Sequence, residues 1–137
     1  MTETDLTKMR ALVVEDDAGG MAIISVMLRY MGVDTLINTT GEGVVELACA
    51  MRPRPSIIFL DINLPKTNGY EVLKLIRAEP LLKGTLVVAV TAQDADTEIP
   101  RCKDAGFDAF IGKPISRSRF PRQVRRILDG EPVWETY

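Results

Sequence analysis

The sequence predicts an α/β fold: a five-stranded parallel sheet, doubly wound, with helices on both faces. Two observations carry this. Short apolar, β-branched runs alternate about five times with stretches of helical period. Strands that are apolar at nearly every position belong to parallel sheets covered on both sides. The 137 residues suit one domain, and 46% hydrophobic with 26% charged residues is the balance of an ordered globular chain.

Residues 11–14 form the first strand, stopped by Glu15-Asp16-Asp17. Met21, Ile24, Met27, Leu28 and Met31 then recur at helical spacing, and Gly32 ends that helix. A weak strand follows over 34–38. Thr40 is placed to cap a helix over 42–51, striped by Val44, Val45, Leu47 and Ala48 and closed by Pro53 and Pro55. Residues 56–60 read as a fully buried strand stopping at Asp61. A loop with Pro65 and Gly69 leads to a helix over 70–78, with Val72, Leu73 and Ile76 facing inward. The next strand, 85–90, ends at Thr91. A short helix over 98–105 carries Pro100 near its start, where a missing N–H does little harm. A last strand over 107–111 precedes Lys113-Pro114, and the final helix runs over 116–128 to Asp129-Gly130. The domain is expected over 9–129, with a flexible extension at 1–8 and a frayed tail at 130–137.

Composition excludes several chemistries. The chain has no His, which removes Ser-His-Asp and Cys-His catalysis, imidazole metal sites and phosphohistidine formation on this chain. A net charge of −2 argues against a whole-surface nucleic-acid binder. Cys49 and Cys102 lie far apart, in no CxxC pair, and read as small buried hydrophobes of a reducing compartment. Residues 1–10 lack an apolar targeting core, and the apolar stretches at 21–28 and 86–90 fall short of the roughly 20 residues a membrane span needs. The expectation is a cytoplasmic protein without membrane contact.

Ligands of an open parallel sheet bind beyond the carboxyl ends of its strands. The first strand end offers Glu15, Asp16 and Asp17, the third Asp61, the fourth Thr91 and the fifth Lys113. Carboxylates gathered there repel one another, and a hard divalent cation relieves this. Glu15, Asp16 and Asp61, with the backbone carbonyl of Asn63, are an oxygen set suited to Mg²⁺. A phosphoryl group on Asp61 would share its charged oxygens among the metal, the Lys113 ammonium and the Thr91 hydroxyl. Asp17, next to the helix, reads best as its cap.

Val13-Val14-Glu15-Asp16-Asp17, Leu60-Asp61-Ile62-Asn63-Leu64-Pro65 with Gly69, Val90-Thr91-Ala92 and Ile111-Gly112-Lys113-Pro114 together resemble the motif blocks of response-regulator receiver domains. The resemblance covers about residues 9–128. It implies a flavodoxin-like sheet of order 2-1-3-4-5, Asp61 as phospho-acceptor, and Glu15, Asp16 and Asn63 as further Mg²⁺ ligands. It also implies Thr91 as the switch hydroxyl, Lys113 as the phosphate-binding lysine, and a cis bond before Pro114. Phe110 stands where the family keeps its switch aromatic, although a core role is equally open. The implied phosphodonor is a sensor histidine kinase or a histidine phosphotransfer protein, and Ala92, being small, leaves the acceptor open to it.

Phosphatases of the haloacid dehalogenase type also combine a nucleophilic Asp, a Thr or Ser, a Lys and acidic metal ligands. They carry a second Asp two residues after the nucleophile as general acid/base. Here that position is Asn63, which has no proton to exchange, so the expectation is a switch rather than an enzyme. The final helix carries Arg117, Arg119, Arg122, Arg125 and Arg126. That basic face is expected to dock an acidic output partner or a second receiver as a homodimer, the alternative being a solvated face. Direct nucleic-acid binding is not expected, since no aromatic neighbours accompany it. Gly19-Gly20, in the first turn of a helix, has no explanation in the sequence.

Overall fold

The computed structural model describes residues 5–136. In chain order the elements are β1 (Arg10–Val14), α1 (Ala18–Tyr30), β2 (Asp34–Asn38), α2 (Val44–Ala50), β3 (Ile57–Asp61) and α3 (Gly69–Ala78). They continue with β4 (Leu86–Thr91), α4 (Ala95–Ala105), β5 (Ala109–Gly112), α5 (Phe120–Leu128) and β6 (Trp134–Glu135). The sheet is parallel throughout in the order β2-β1-β3-β4-β5-β6.

Alternation along the strands divides the apolar side chains between two faces. Val13, Phe59, Val88 and Ile111 point to α1 and α5, where they meet Ile24, Leu28, Phe120, Val124 and Ile127. Leu12, Ile58, Leu60, Ala89 and Phe110 point the other way, against Val44 and Ala48 of α2, Val72, Leu73 and Ile76 of α3, and Cys102 of α4. Phe59 and Phe120 seal the first layer with ring centroids 5.5 Å apart. Each such large side chain taken fully from water stabilises the fold by roughly 1.5–3 kcal/mol.

The sheet has six strands rather than the expected five. Val133 is fully buried among the α1/α5 side chains, and Phe110 N donates to Val133 O at 2.9 Å, which sets Trp134 beside Phe110 and Glu135 beside Ile111. Where the composition after Gly130 predicts a frayed tail, an apolar–aromatic–acidic triplet returns to the sheet. At the other end, Asp5 caps a 3-10 turn over Leu6–Lys8 and Leu6 is buried in the α1/α5 core. Residues 1–4 and 137 of the expected flexible ends lie outside the described residues.

Several helix ends differ from expectation for identifiable reasons. α1 is the exception, starting after the expected Asp17 cap, which accepts from Gly20 N at 2.8 Å. α2 begins later: Thr40 makes a tight turn with Glu42 N instead, and Gly43, at φ +68°, occupies the N-cap. α4 begins at Ala95 after the Asp94 cap, which places Pro100 in the second turn. α5 begins only at Phe120, because Pro121 is preorganised for a first turn, and residues 116–119 form a separate turn. Arg117 and Arg119 are therefore not on α5. The bonds Arg52–Pro53 and Lys113–Pro114 are cis.

Asp108 clamps the far end of the sheet. Its Oδ2 accepts from Val87 N at 2.8 Å and from Arg77 Nη2 at 2.7 Å, while Arg77 also donates to Thr85 O and Gly106 O. Asp108→Ala leaves a buried backbone amide unpaired, and the expected loss is about 1–3 kcal/mol in urea-unfolding experiments. An unchanged midpoint would show that water replaces the clamp at no cost.

Candidate functional site

Parallel register brings the strand ends into one row. Val14 lies beside Leu60, Asp61 beside Val90, and Thr91 beside Gly112. Residues one step past those ends therefore converge: Glu15 after β1 and Lys113 after β5, with Asp61 and Thr91 closing β3 and β4. This is a consequence of register, since three chain segments separate the four residues.

Glu15 and Asp61 are buried, at 1% and 5% exposure, and both face the Lys113 ammonium. Lys113 Nζ lies 2.5 Å from Glu15 Oε1 and 3.2 Å from Asp61 Oδ2. The other Asp61 oxygen, Oδ1, accepts from Asn63 N at 3.0 Å. Two carboxylates thus share one cation. Burial, and then the neighbouring Asp61 carboxylate, push the Glu15 carboxyl up to about 7 despite Lys113. Burial alone would lower the Lys113 ammonium, but the facing Glu15 and Asp61 carboxylates outweigh it and raise it.

The cluster remains short of positive charge. Carboxylate oxygens of Glu15, Asp16 and Asp61 lie within 4.8 Å of one another, with Asp16 on the solvent side. Glu15 Oε2 is buried with no hydrogen-bond partner among the described residues. An orphaned buried carboxylate oxygen facing two further carboxylates is what a hard divalent ion would satisfy. Oxygen donors, one exposed edge and excess negative charge fit Mg²⁺.

Thr91 is buried, its Oγ1 accepting from Gln93 N at 3.1 Å, so the hydroxyl proton remains for another acceptor. Lys113 N donates to Thr91 O at 2.8 Å, tying the two strand ends together. Phe110 is fully buried on the face of α3 and α4. Pro114 follows Lys113 through a cis bond. Glu15, Asp16, Asp61, Asn63, Thr91, Lys113 and Pro114 thus follow or close the strand ends at one sheet edge, with Phe110 inside β5 beneath it.

The sequence reading missed Gln93. Its Nε2 donates to Asn63 Oδ1 at 3.0 Å, joining the loops after β3 and β4. Its position offered a signal: Gln93 stands two residues beyond Thr91 as Asn63 stands two beyond Asp61. The sequence also missed Tyr70, whose hydroxyl donates to the buried Glu98 Oε2 at 2.6 Å and ties α3 to α4, with the Arg101 guanidinium 4.7 Å over its ring.

Two glycines shape the cleft. Gly69 N donates to Ile62 O at 2.8 Å, and a Cβ at Gly69 would lie 2.7 Å from Asp61 O. Gly20 answers the oddity of the sequence: a Cβ there would lie 2.6 Å from Glu15 Oε1 and 3.3 Å from Asp17 Oδ2. Gly19 has no such neighbour, a Cβ meeting only Asp17 Oδ2 at 3.5 Å.

The family model for the response regulator receiver domain matches residues 11–125. The chain belongs to that family. Its receiver domain is 32% identical over 117 residues to the polar-differentiation response regulator DivK of Brucella anthropi, a match covering 85% of this chain and 94% of DivK. It is 32% identical over 132 residues to the DNA-binding response regulator MtrA of Mycobacterium bovis, covering 94% of this chain and 56% of MtrA. The chain therefore spans about half the length of the MtrA proteins it matches. Among solved structures, the receiver domain of a sensor histidine kinase from Pseudomonas aeruginosa, with a magnesium ion in its active-site cleft, superposes with a TM-score of 0.77. It is 27% identical and covers 88% of this chain and 98% of that one. A putative response regulator of Chloroflexus aurantiacus superposes at 0.79, with 26% identity and the same coverage. Receiver domains are the signalling switches of two-component systems. No helix of the described residues is long and apolar enough to cross a membrane.

The two glycines of α1 should respond oppositely to alanine. Gly19→Ala adds helix propensity and should stabilise the receiver by up to about 0.5–1 kcal/mol. Gly20→Ala should destabilise it by about 1–3 kcal/mol through the collision with Glu15. Paired urea titrations check both signs, and two changes of the same sign would remove the steric account of Gly20.

Proposed function

We propose that Asp61 accepts a phosphoryl group from a phosphohistidine of a sensor histidine kinase or a histidine phosphotransfer protein. The observation that carries this reading is the Lys113 ammonium shared between the buried Asp61 and Glu15 carboxylates at an open edge of the sheet. The cation beside Asp61 is in place for the anionic group that arrives.

In the transfer, an Asp61 carboxylate oxygen attacks phosphorus. The new O–P bond forms as the donor's N–P bond breaks, and the imidazole leaves with the electron pair. Charge on the three phosphoryl oxygens is met by Lys113, which exchanges part of its contact with Glu15 and Asp61 for the newcomer, and by the Thr91 hydroxyl. Mg²⁺ held by Glu15, Asp16, Asp61 and the Asn63 carbonyl would supply further neutralisation of that charge. Positioning and electrostatics are then nearly all the catalysis required.

Hydrolysis of the aspartyl phosphate has no comparable help. Asn63 and Gln93, hydrogen-bonded to each other beside Asp61, are amides without an exchangeable acid proton, and the chain contains no His. This supports a persistent covalent state read by a partner, as against rapid turnover by an aspartate-nucleophile phosphatase. The Thr91 hydroxyl, drawn toward the phosphoryl group, would relax its contact with Gln93 N and free space beside Phe110. We place the output there and on α5, where Arg122 and Arg125 are exposed.

Acetyl phosphate with Mg²⁺ tests the reading by intact-protein mass spectrometry. The wild-type chain should gain one phosphoryl group, and Asp61→Asn none. Lys113→Ala should slow the gain by about 10²–10³-fold. Equal labelling of Asp61→Asn would overturn the assignment, and loss of the phosphate within milliseconds would favour the phosphatase.

A further inference from the structure

An open groove of about 480 Å³ runs between the first turn of α2 and the outer side of α3. Its floor is apolar, made by Val45, Val72, Leu75 and Ala78. Leu75 is 63% exposed on a helix whose Val72, Leu73 and Ile76 are buried. A single exposed leucine is ordinary on a protein surface, but this one stands in a concave site. The rim is acidic, with Glu42 and Glu46 on the α2 side and Glu79 at the end of α3. Among the described residues, no Lys or Arg lines it.

The groove is preformed. Asn38, at the end of β2, pins the loop into α2: its Oδ1 accepts from Thr40 N at 3.1 Å and Gly41 N at 2.8 Å, and its Nδ2 donates to Glu42 O at 2.8 Å. Gly41, at φ +88°, seats that loop on the one following Asp61, where a Cβ would lie 2.8 Å from Leu64 Cδ1 and from Thr67 Cγ2. α2 then starts after Gly43 with no side-chain cap and runs for only seven residues, so the wall it offers α3 is short. Glu71, Asp34 and Asp108 each face a cation of the chain. The Glu42 and Glu46 carboxylates, by contrast, have no ion pair or hydrogen-bond partner among the described residues.

We propose that the groove between α2 and α3 docks a basic amphipathic helix of a partner protein. Each property of that ligand follows from the site. The walls offer side chains and no free strand edge, so a bound segment must satisfy its own backbone, as a helix does. From Val72 to Glu79 the groove follows α3 for about 10 Å, or about two turns of an incoming helix. Apolar side chains of that helix meet Leu75 and Val45, and lysines or arginines on its flanks meet Glu42, Glu46 and Glu79. The same three carboxylates repel phosphates, which disfavours nucleic acid and anionic lipid as occupants. The groove lies on the opposite face of the sheet from α5, and its docking role stands whether or not Asp61 is phosphorylated.

The probe is a fluorescein-labelled synthetic helix of about 15 residues, with leucines on one face and lysines on its flanks, titrated against the full chain by anisotropy. The wild-type chain should bind it, and NMR amide shifts should fall on residues 41–46 and 72–79. Leu75→Gln, a good helix former at an exposed position, should weaken binding about tenfold. Glu42→Lys with Glu46→Lys should abolish it, and a companion peptide with glutamates in place of its lysines should bind that double variant instead. All three positions are exposed, and circular dichroism checks that each variant keeps the native fold. Equal binding by Leu75→Gln, equal binding of a peptide with the same composition but no leucine face, or amide shifts confined to other surfaces would overturn the proposal. A wild-type dimer in light scattering that Leu75→Gln dissociates would also overturn it, by making a second copy the occupant.

Discussion

One lysine ammonium held against two buried carboxylates is the interaction on which the rest of the structure depends. Lys113, Glu15 and Asp61 come from the ends of three strands, and their side chains are largely withdrawn from water. Removing one partner from such a buried group costs about 3–5 kcal/mol, because the remaining charge is left uncompensated. The β1-β3 and β4-β5 registers therefore carry an electrostatic requirement as well as a hydrophobic one. A strand slipped by one residue would turn Asp61 to the other face of the sheet and leave Lys113 facing a single acid.

The surroundings of that triad are built to leave room. Gly20 keeps α1 off the Glu15 carboxylate, and Gly69 lets α3 start against the carbonyl of Asp61. Asn63 and Gln93 bind each other above the cleft, while Thr91 is tethered through its oxygen by Gln93 N. The same few contacts that order the loops also leave specific capacities unused: one Glu15 oxygen and the Thr91 proton. In the proposed reading, the first would be taken up by a cation and the second by a phosphoryl group.

The side of the molecule near Phe110 is organised differently. Tyr70, Glu98 and Arg101 lock α3 to α4 through a buried carboxylate, whereas the outer edge of β5 is closed only by a short strap with an apolar anchor and a polar rim. An unprotected sheet edge invites pairing, and here the chain covers its own edge.

The sequence by itself determined the order of strands and helices, the residues at each strand end and the family, because apolar runs, helical spacing and punctuating Gly, Pro and Asp are local signals. Even the charges of the site were legible, since each follows directly on a buried strand. Tertiary structure alone decided the rest. Why Gly20 is glycine depends on where the Glu15 carboxylate is held, and Lys113, distant along the chain, helps to hold it. Gln93 joins the site only because two loops come side by side. The sixth strand had no periodicity to betray it: two residues carry no pattern, and Val133, Trp134 and Glu135 acquire their places only from a socket, a lysine and an arginine that the folded sheet brings together.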